Sequence, residues 1–185
     1  MSNLALYTFG VTKADISANG DTATPASWVN IPLIADGSIT YQINVAEVAD
    51  GDGKLRLNWF HSQRAKVQLM TKQTIFRLIE LATGSAVSSY QGQDKIQFGV
   101  DSELNPPFTR LRVQCKAVDA SANRGYMEAV LYRTRGKMGN VSMKETTVGT
   151  YTIEFEAELA SFDDLGNATP NGAYGHLTGL KSSTN

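Results

Sequence analysis

The strongest constraint in this chain is an alternation of apolar and polar residues with a period of two, repeated in stretch after stretch. In residues 38–45, Ile39, Tyr41, Ile43 and Val45 alternate with Ser38, Thr40, Gln42 and Asn44. Such a run gives a strand one apolar face and one wet face. Leu55, Leu57 and Trp59 alternate with Arg56 and Asn58, and Ala65, Val67 and Leu69 with Arg64, Lys66 and Gln68. Leu111, Val113, Cys115 and Ala117 alternate with Arg110, Arg112, Gln114 and Lys116. Near the end, Tyr151, Ile153, Phe155, Ala157 and Leu159 alternate with Thr152, Glu154, Glu156 and Glu158. Shorter or interrupted versions occupy 4–11, 28–34, 95–100, 126–133 and 141–145.

One segment changes period. Ile75, Leu78, Ile79 and Ala82 fall at i, i+3, i+4 and i+7, with Thr71 or Thr74 able to cap the start and Gly84 placed to end it. The spacing predicts a helix over about 72–83 whose apolar stripe packs on the sheets. The expected fold is mainly β: a β-sandwich or barrel-like two-sheet domain over 1–160, with one short helix. Polar segments predict an N-terminal loop at 12–27 and a long hairpin loop at 46–54. The stretch 161–185, with four glycines and no long apolar run, predicts a C-terminal arm.

Charge and composition exclude several classes. The chain has 185 residues, one domain's worth, and 17 Lys+Arg against 18 Asp+Glu give a net charge of -1. No overall field draws it to nucleic acid or an anionic membrane. A single cysteine, Cys115, excludes an internal disulfide framework and fits a reducing compartment, and His61 and His176 are the only histidines. No signal-like opening and no apolar run of ~18 residues is visible, so the expectation is a soluble, unsecreted chain. The balance hides blocks. Residues 36–53 carry four acids and no base, and 54–79 six bases and no acid. Residues 110–144 carry eight bases against two acids, and 145–179 six acids and no base. Blocks of opposite sign can complement each other within a sheet or between copies of the chain.

Each candidate for chemistry has a plainer reading. Asp50-Gly51-Asp52-Gly53 resembles the opening of a calcium loop, but Lys54 and Arg56 follow where ligands are needed, and a hairpin turn accounts for it. His61 and Ser62 are adjacent, so on a strand they point to opposite faces and cannot act as base and nucleophile. His176 lies in the glycine-rich tail, and Cys115 occupies an apolar position of a strand. Glu154, Glu156 and Glu158 share a face, as a glycosidase pair could, but three like charges on one strand fit solvent exposure or pairing with bases better. Arg110, Arg112 and Lys116 form a basic row that faces either phosphates or an acidic neighbour. No catalytic residue, cofactor or metal site is expected.

The hairpin ITYQINVAEVADGDGKLRLNWF, the helix TIFRLIELATG and the closing strand GTYTIEFEAELASFDD, in that order, resemble the major tail tube proteins of tailed bacteriophages and the tube proteins of contractile-injection and type VI secretion machines. The resemblance covers most of 38–164. It implies a virion protein, assembled in the host cytoplasm, whose hexameric or pseudo-hexameric rings stack into a tube for DNA. Its partners would be copies of itself, other tail proteins and genomic DNA passing through the lumen, with no membrane. By that resemblance Glu154, Glu156 and Glu158 line the lumen, while Glu47, Asp50, Asp52, Arg110, Arg112 and Lys116 contact neighbouring subunits, as do the loops at 12–27 and 46–53 and the arm. Other readings are a terminator, baseplate or secretion ring of the same machines, or a carbohydrate- or protein-binding β-sandwich displaying Trp28, Trp59 and Tyr90.

Overall fold

The alternating runs become long antiparallel strands in the computed structural model, which describes residues 6–32, 34–49, 56–71, 76–97, 105–119, 124–144 and 147–181. In chain order they are β1 (Leu6–Ser17), β2 (Val29–Ile31), β3 (Ile34–Ala49), β4 (Arg56–Thr71), α1 (Phe76–Thr83), β5 (Ser88–Tyr90), β6 (Gln93–Lys95), β7 (Phe108–Asp119), β8 (Arg124–Lys144), β9 (Thr147–Ala157), β10 (Ala160–Phe162), β11 (Ala168–Ala173) and β12 (Gly175–Lys181). The main sheet runs β2-β1-β7-β8-β9-β4-β3, with β12 added to β8. It curls until β1 and β3 meet: a Cβ built on Gly37 would lie 2.8 Å from Val11 Cγ2. The result is the expected mainly-β, barrel-like architecture with small second sheets, β10-β11 and β5-β6.

The inner face of the curl holds the main core. Ile16, Val67, Leu69, Leu111, Leu131, Ile153 and Phe155 meet Leu78, Ile79, Leu81 and Ala82 of α1 there. Burying each large aliphatic side chain contributes about 1.5–3 kcal/mol, and the alternation supplies them from every strand at once. The helix begins at Phe76, residues 72–75 being outside the described set, and Gly84 ends it with φ of 75° and its N–H on the Glu80 carbonyl.

The interrupted run 126–133 and residues 141–144 of the run 141–145 belong to one strand, β8, of 21 residues. Two features broke its alternation. Gly136 faces α1 so closely that a Cβ would sit 2.7 Å from Ala82 Cβ, so the inward position has no side chain to read. Thr109 pairs with Thr134 but Leu111 with Leu131, so β8 carries one extra residue at a bulge. Parity therefore flips: Leu131 joins the inner core, while Tyr132 and Arg133 both face outward.

The segment expected as a loop at 12–27 is different. Residues 12–17 continue β1, through register shifts near Val11 that hid the pattern, and only 18–28 leaves the sheet. Likewise 46–49 is strand in β3, while residues 50–54 of the expected hairpin loop lie outside the described set. The segment from 161 is not a detached arm. β10 and β11 pack on the outer face over Val130 and Tyr132, with Trp28, and β12 pairs with β8 from His176↔Val130 to Lys181↔Tyr126. Gly175 permits this approach, since a Cβ there would lie 1.9 Å from the Val130 carbonyl oxygen. Gly166 and Gly175, read as slack, are close-contact positions.

At one end the barrel wall is split. β9 ends at Ala157, paired with Ala65 of β4 and Thr134 of β8. Beyond that level β4 continues back to Arg56, paired only with β3 among the described strands. On the other flank β8 continues back to Arg124, held by β7 on one side and β12 on the other. At about 3.3 Å per residue each projection extends roughly 30 Å past β9.

Candidate functional site

The outer face carries the charged rows, and the register decides who meets whom. Glu154 of β9 lies between Gln68 of β4 and Lys137 of β8, and Glu156 between Lys66 and Arg135. The Lys137 ammonium is 3.1 Å from Glu154, and Gln68 Nε2 donates to the same carboxylate at 3.4 Å. Glu158 is 3.0 Å from Arg135 Nε and 3.4 Å from Arg133 Nη2. Arg133 also holds Asp21 at 3.0 Å, Arg135 donates to Asn105 Oδ1, and both guanidinium groups stack on Phe108 at 3.8 and 4.1 Å from its centroid. The acidic row is thus a cross-strand ladder with the bases of β8 and β4. The signal was present as Arg133, Arg135 and Lys137 at alternate positions, but the bulge and Gly136 concealed the strand that carries them.

The basic row Arg110, Arg112 and Lys116 does not act together. Arg110 is fully buried, donating from Nη2 to the Thr22 carbonyl at 2.5 Å and from Nη1 to the Thr24 carbonyl at 2.6 Å. Burial pulls its pKa below the ordinary arginine value, against the opposing pull of Asp164, Asp163 and Asp21. It is removed from the candidate inter-subunit contacts because loop 18–27 of its own chain covers it. Arg112 grips buried Asp15 from Nη2 at 2.7 Å and Nε at 2.9 Å, and its guanidinium lies 4.6 Å from the Trp28 ring centroid. Lys13 and Asn30 complete the shell of Asp15. Lys116 alone of the three is exposed.

Loop 18–27 is fastened at several points. Asp21 Oδ1 accepts the N–H groups of Ser161 and Phe162, Gly20 N–H donates to Phe108, and Ala26 N–H to Asp164. Such bonds, two to the Asp21 side chain and two between backbone groups, carry no periodicity, so nothing in the sequence pattern announces them.

Of the remaining candidates, Glu47 sits on β3 opposite Asn58, and Asp50 and Asp52 lie outside the described residues. His61 is on β4. His176 is on β12 with Nδ1 2.7 Å from Tyr132 Oη and 3.9 Å from Asp164. Burial, then Asp164 and Asp163, pushes the Tyr132 phenol up from its usual value. Burial raises the Cys115 thiol, offset in part by its bond to the Met127 carbonyl. Among the described residues no cluster of His, Cys, Asp or Glu could hold a metal ion. Trp28 is spent under Arg112, whereas Tyr90 sits on the exposed β5-β6 hairpin beneath Lys95. The Trp59 side chain lies outside the described residues.

A groove of about 590 Å³ opens on the outer face of the β8 projection, where Gln114, Lys116 and Val118 of β7 face Arg124 and Tyr126 of β8. Gln114 closes one end by donating to Glu128 at 2.7 Å. Neither a protein-family model nor a curated protein sequence matches this chain, so the reading of its surfaces rests on their geometry.

Proposed function

We propose that this chain is a self-assembling structural subunit of tail-tube type, forming stacked rings around a conduit for DNA. The observation that supports it is the split end of the barrel. Among the described strands the distal half of β4 and the outer edge of β12 present open strand edges there, and a two-stranded projection is marginal in water by itself. Pairing with another copy satisfies both needs, and a repeated one-sided contact generates rings.

The ladder on β4, β9 and β8 suits a lumen wall. Arg133, Arg135 and Lys137 sit among carboxylates, so a passing phosphate meets ion pairs instead of free cations, and counterion release, the main source of DNA affinity, is small. Glu154, Glu156 and Glu158 in this reading neutralise the wall more than they charge it.

Negative-stain microscopy of the purified chain tests the proposal. Rings or tubes are expected; monodisperse monomers at high concentration refute it. Single rings without indefinite tubes would assign the chain to a terminator or baseplate position in such a machine.

A further inference from the structure

The acidic tip segment 46–53, between β3 and β4 in sequence, is opposite in charge to the groove at Lys116 and Arg124, and we propose that this segment of one copy docks in the groove of the copy beside it. The inference rests on the self-assembly proposed above and names the surfaces that carry it.

Both charged side chains that line the groove, Lys116 and Arg124, are exposed cations. Neither has a hydrogen-bond or ion-pair partner among the described residues. The rest of the lining is mostly apolar, including Val118 and the Tyr126 ring. A nucleic acid fits this poorly, because two cations neutralise few phosphates and the apolar floor has nothing to offer a sugar-phosphate backbone. An acidic peptide with small apolar residues fits well. The segment AEVADGDG at 46–53 has that composition, with Glu47, Asp50 and Asp52 and no base.

Five of the other acids are already committed. Asp15 and Asp21 are held by Arg112 and Arg133, Glu154 by Lys137, Glu158 by Arg133 and Arg135, and Asp163 caps its own turn at Leu165 and Asn167.

Topology fixes the kind of contact. Around the curl β1-β7-β8-β9-β4-β3, the β7-β8 pair that bears the groove lies across the barrel from the β3-β4 pair that bears the tip. Strand directions put the groove and the junction of β3 with β4 at the same end, because β3 runs down to Ala49 as β7 runs down to the groove, and β4 from Arg56 and β8 from Arg124 run back up. Opposite flanks at one level make a side-by-side, heterologous contact, the kind that closes a ring.

Charge reversal in the full chain tests this by sedimentation at low and moderate salt. K116E/R124E and E47K/D50K/D52K are each expected to weaken self-association at least about tenfold, with unchanged far-UV circular dichroism, while mixing the two variants, or combining all five substitutions in one chain, restores it to within about threefold. Wild-type chains that assemble while both reversed variants assemble equally well overturn the groove contact and leave the tube reading standing. Loss of assembly that neither mixing nor the combined variant rescues also overturns it. A wild-type chain that stays monomeric overturns the tube reading itself.

Discussion

Replacing Arg110 by Ala should lower stability by about 3 kcal/mol and release loop 18–27 from the sheet. Two charge-assisted hydrogen bonds, to the Thr22 and Thr24 carbonyls, contribute about 1.5–3 kcal/mol each. Against this stands the cost of burying a guanidinium whose Nε finds no partner among the described residues, about 1–3 kcal/mol. Thr22 and Thr24 are exposed, so their carbonyls regain water when the arginine is gone. For a chain of this size the net loss corresponds to a fall in Tm of about 6–12 °C. Thermal unfolding followed by circular dichroism measures it, and limited proteolysis within 18–27 reports the local release. Arg110→Lys, which keeps charge but reaches fewer carbonyls, should fall between the two. Arg110→Met is the decisive control, since it fills the space without a charge. If Arg110→Met melts at or above the wild type and the loop is cleaved no faster, desolvation outweighs the bonds and the fastening role assigned to Arg110 is wrong.

Three other perturbations probe separate parts of the fold. Gly136→Val should destabilise by about 2–3 kcal/mol in chemical denaturation, because its Cβ would press on Ala82 and the α1 backbone; an effect below about 0.5 kcal/mol would mean that the helix yields freely. For Asp163, burial raises the pKa, but bonds from the Asn167 side chain and from the N–H groups of Asn167, Leu165 and Gly166 outweigh it and leave the pKa below its ordinary value. The carboxylate thus stabilises the fold above that ordinary value and the contribution is lost as pH falls through the lowered one, so acid unfolding profiles of wild type and Asp163→Asn should converge in strong acid; parallel profiles would contradict it. Combined replacement of Glu154, Glu156 and Glu158 by Lys breaks cross-strand pairs in which the Glu154 and Glu158 side chains are about two-fifths exposed, so the monomer should lose only about 1–2 kcal/mol in urea titration, while assembled tubes should retain DNA at low salt; complete unfolding would show the ladder to be a folding requirement.

The alternating runs within β3, β4, β7 and β9 could be read directly, because one wet face and one buried face leave a period-two trace, although β4 gains a residue between its two runs, where Asn44 pairs with Ser62 but Val45 with Phe60. The helix was legible from its change of period. What escaped was anything settled by partners distant in sequence. Arg110 and Arg112 occupy equivalent alternate positions, yet one is sealed by the loop at 22–24 and the other holds Asp15 beside Trp28, and no local pattern distinguishes them. The tail looked unable to bury itself because its glycines carry no side chains, although at Gly175 that absence is what lets β12 reach β8. The row Glu154, Glu156 and Glu158 was visible, but its partners lay across a bulge that shifts parity inside β8.

That bulge bears on how this protein can change length. A strand buried on one side cannot ordinarily gain or lose a single residue, because everything beyond the change would be turned inside out. In β8 the extra residue between Leu131 and Thr134 makes that switch already, handing outward duty from the even-numbered Val130 and Tyr132 to the odd-numbered Arg133 and Arg135. Removing one residue there would straighten the strand and leave the faces on either side as they are, whereas the same deletion near Val130 or Gly136 would leave part of the strand with its core side chains in water. Chains descended from this one can therefore shorten at 132–133 more readily than elsewhere in the regular parts of β8.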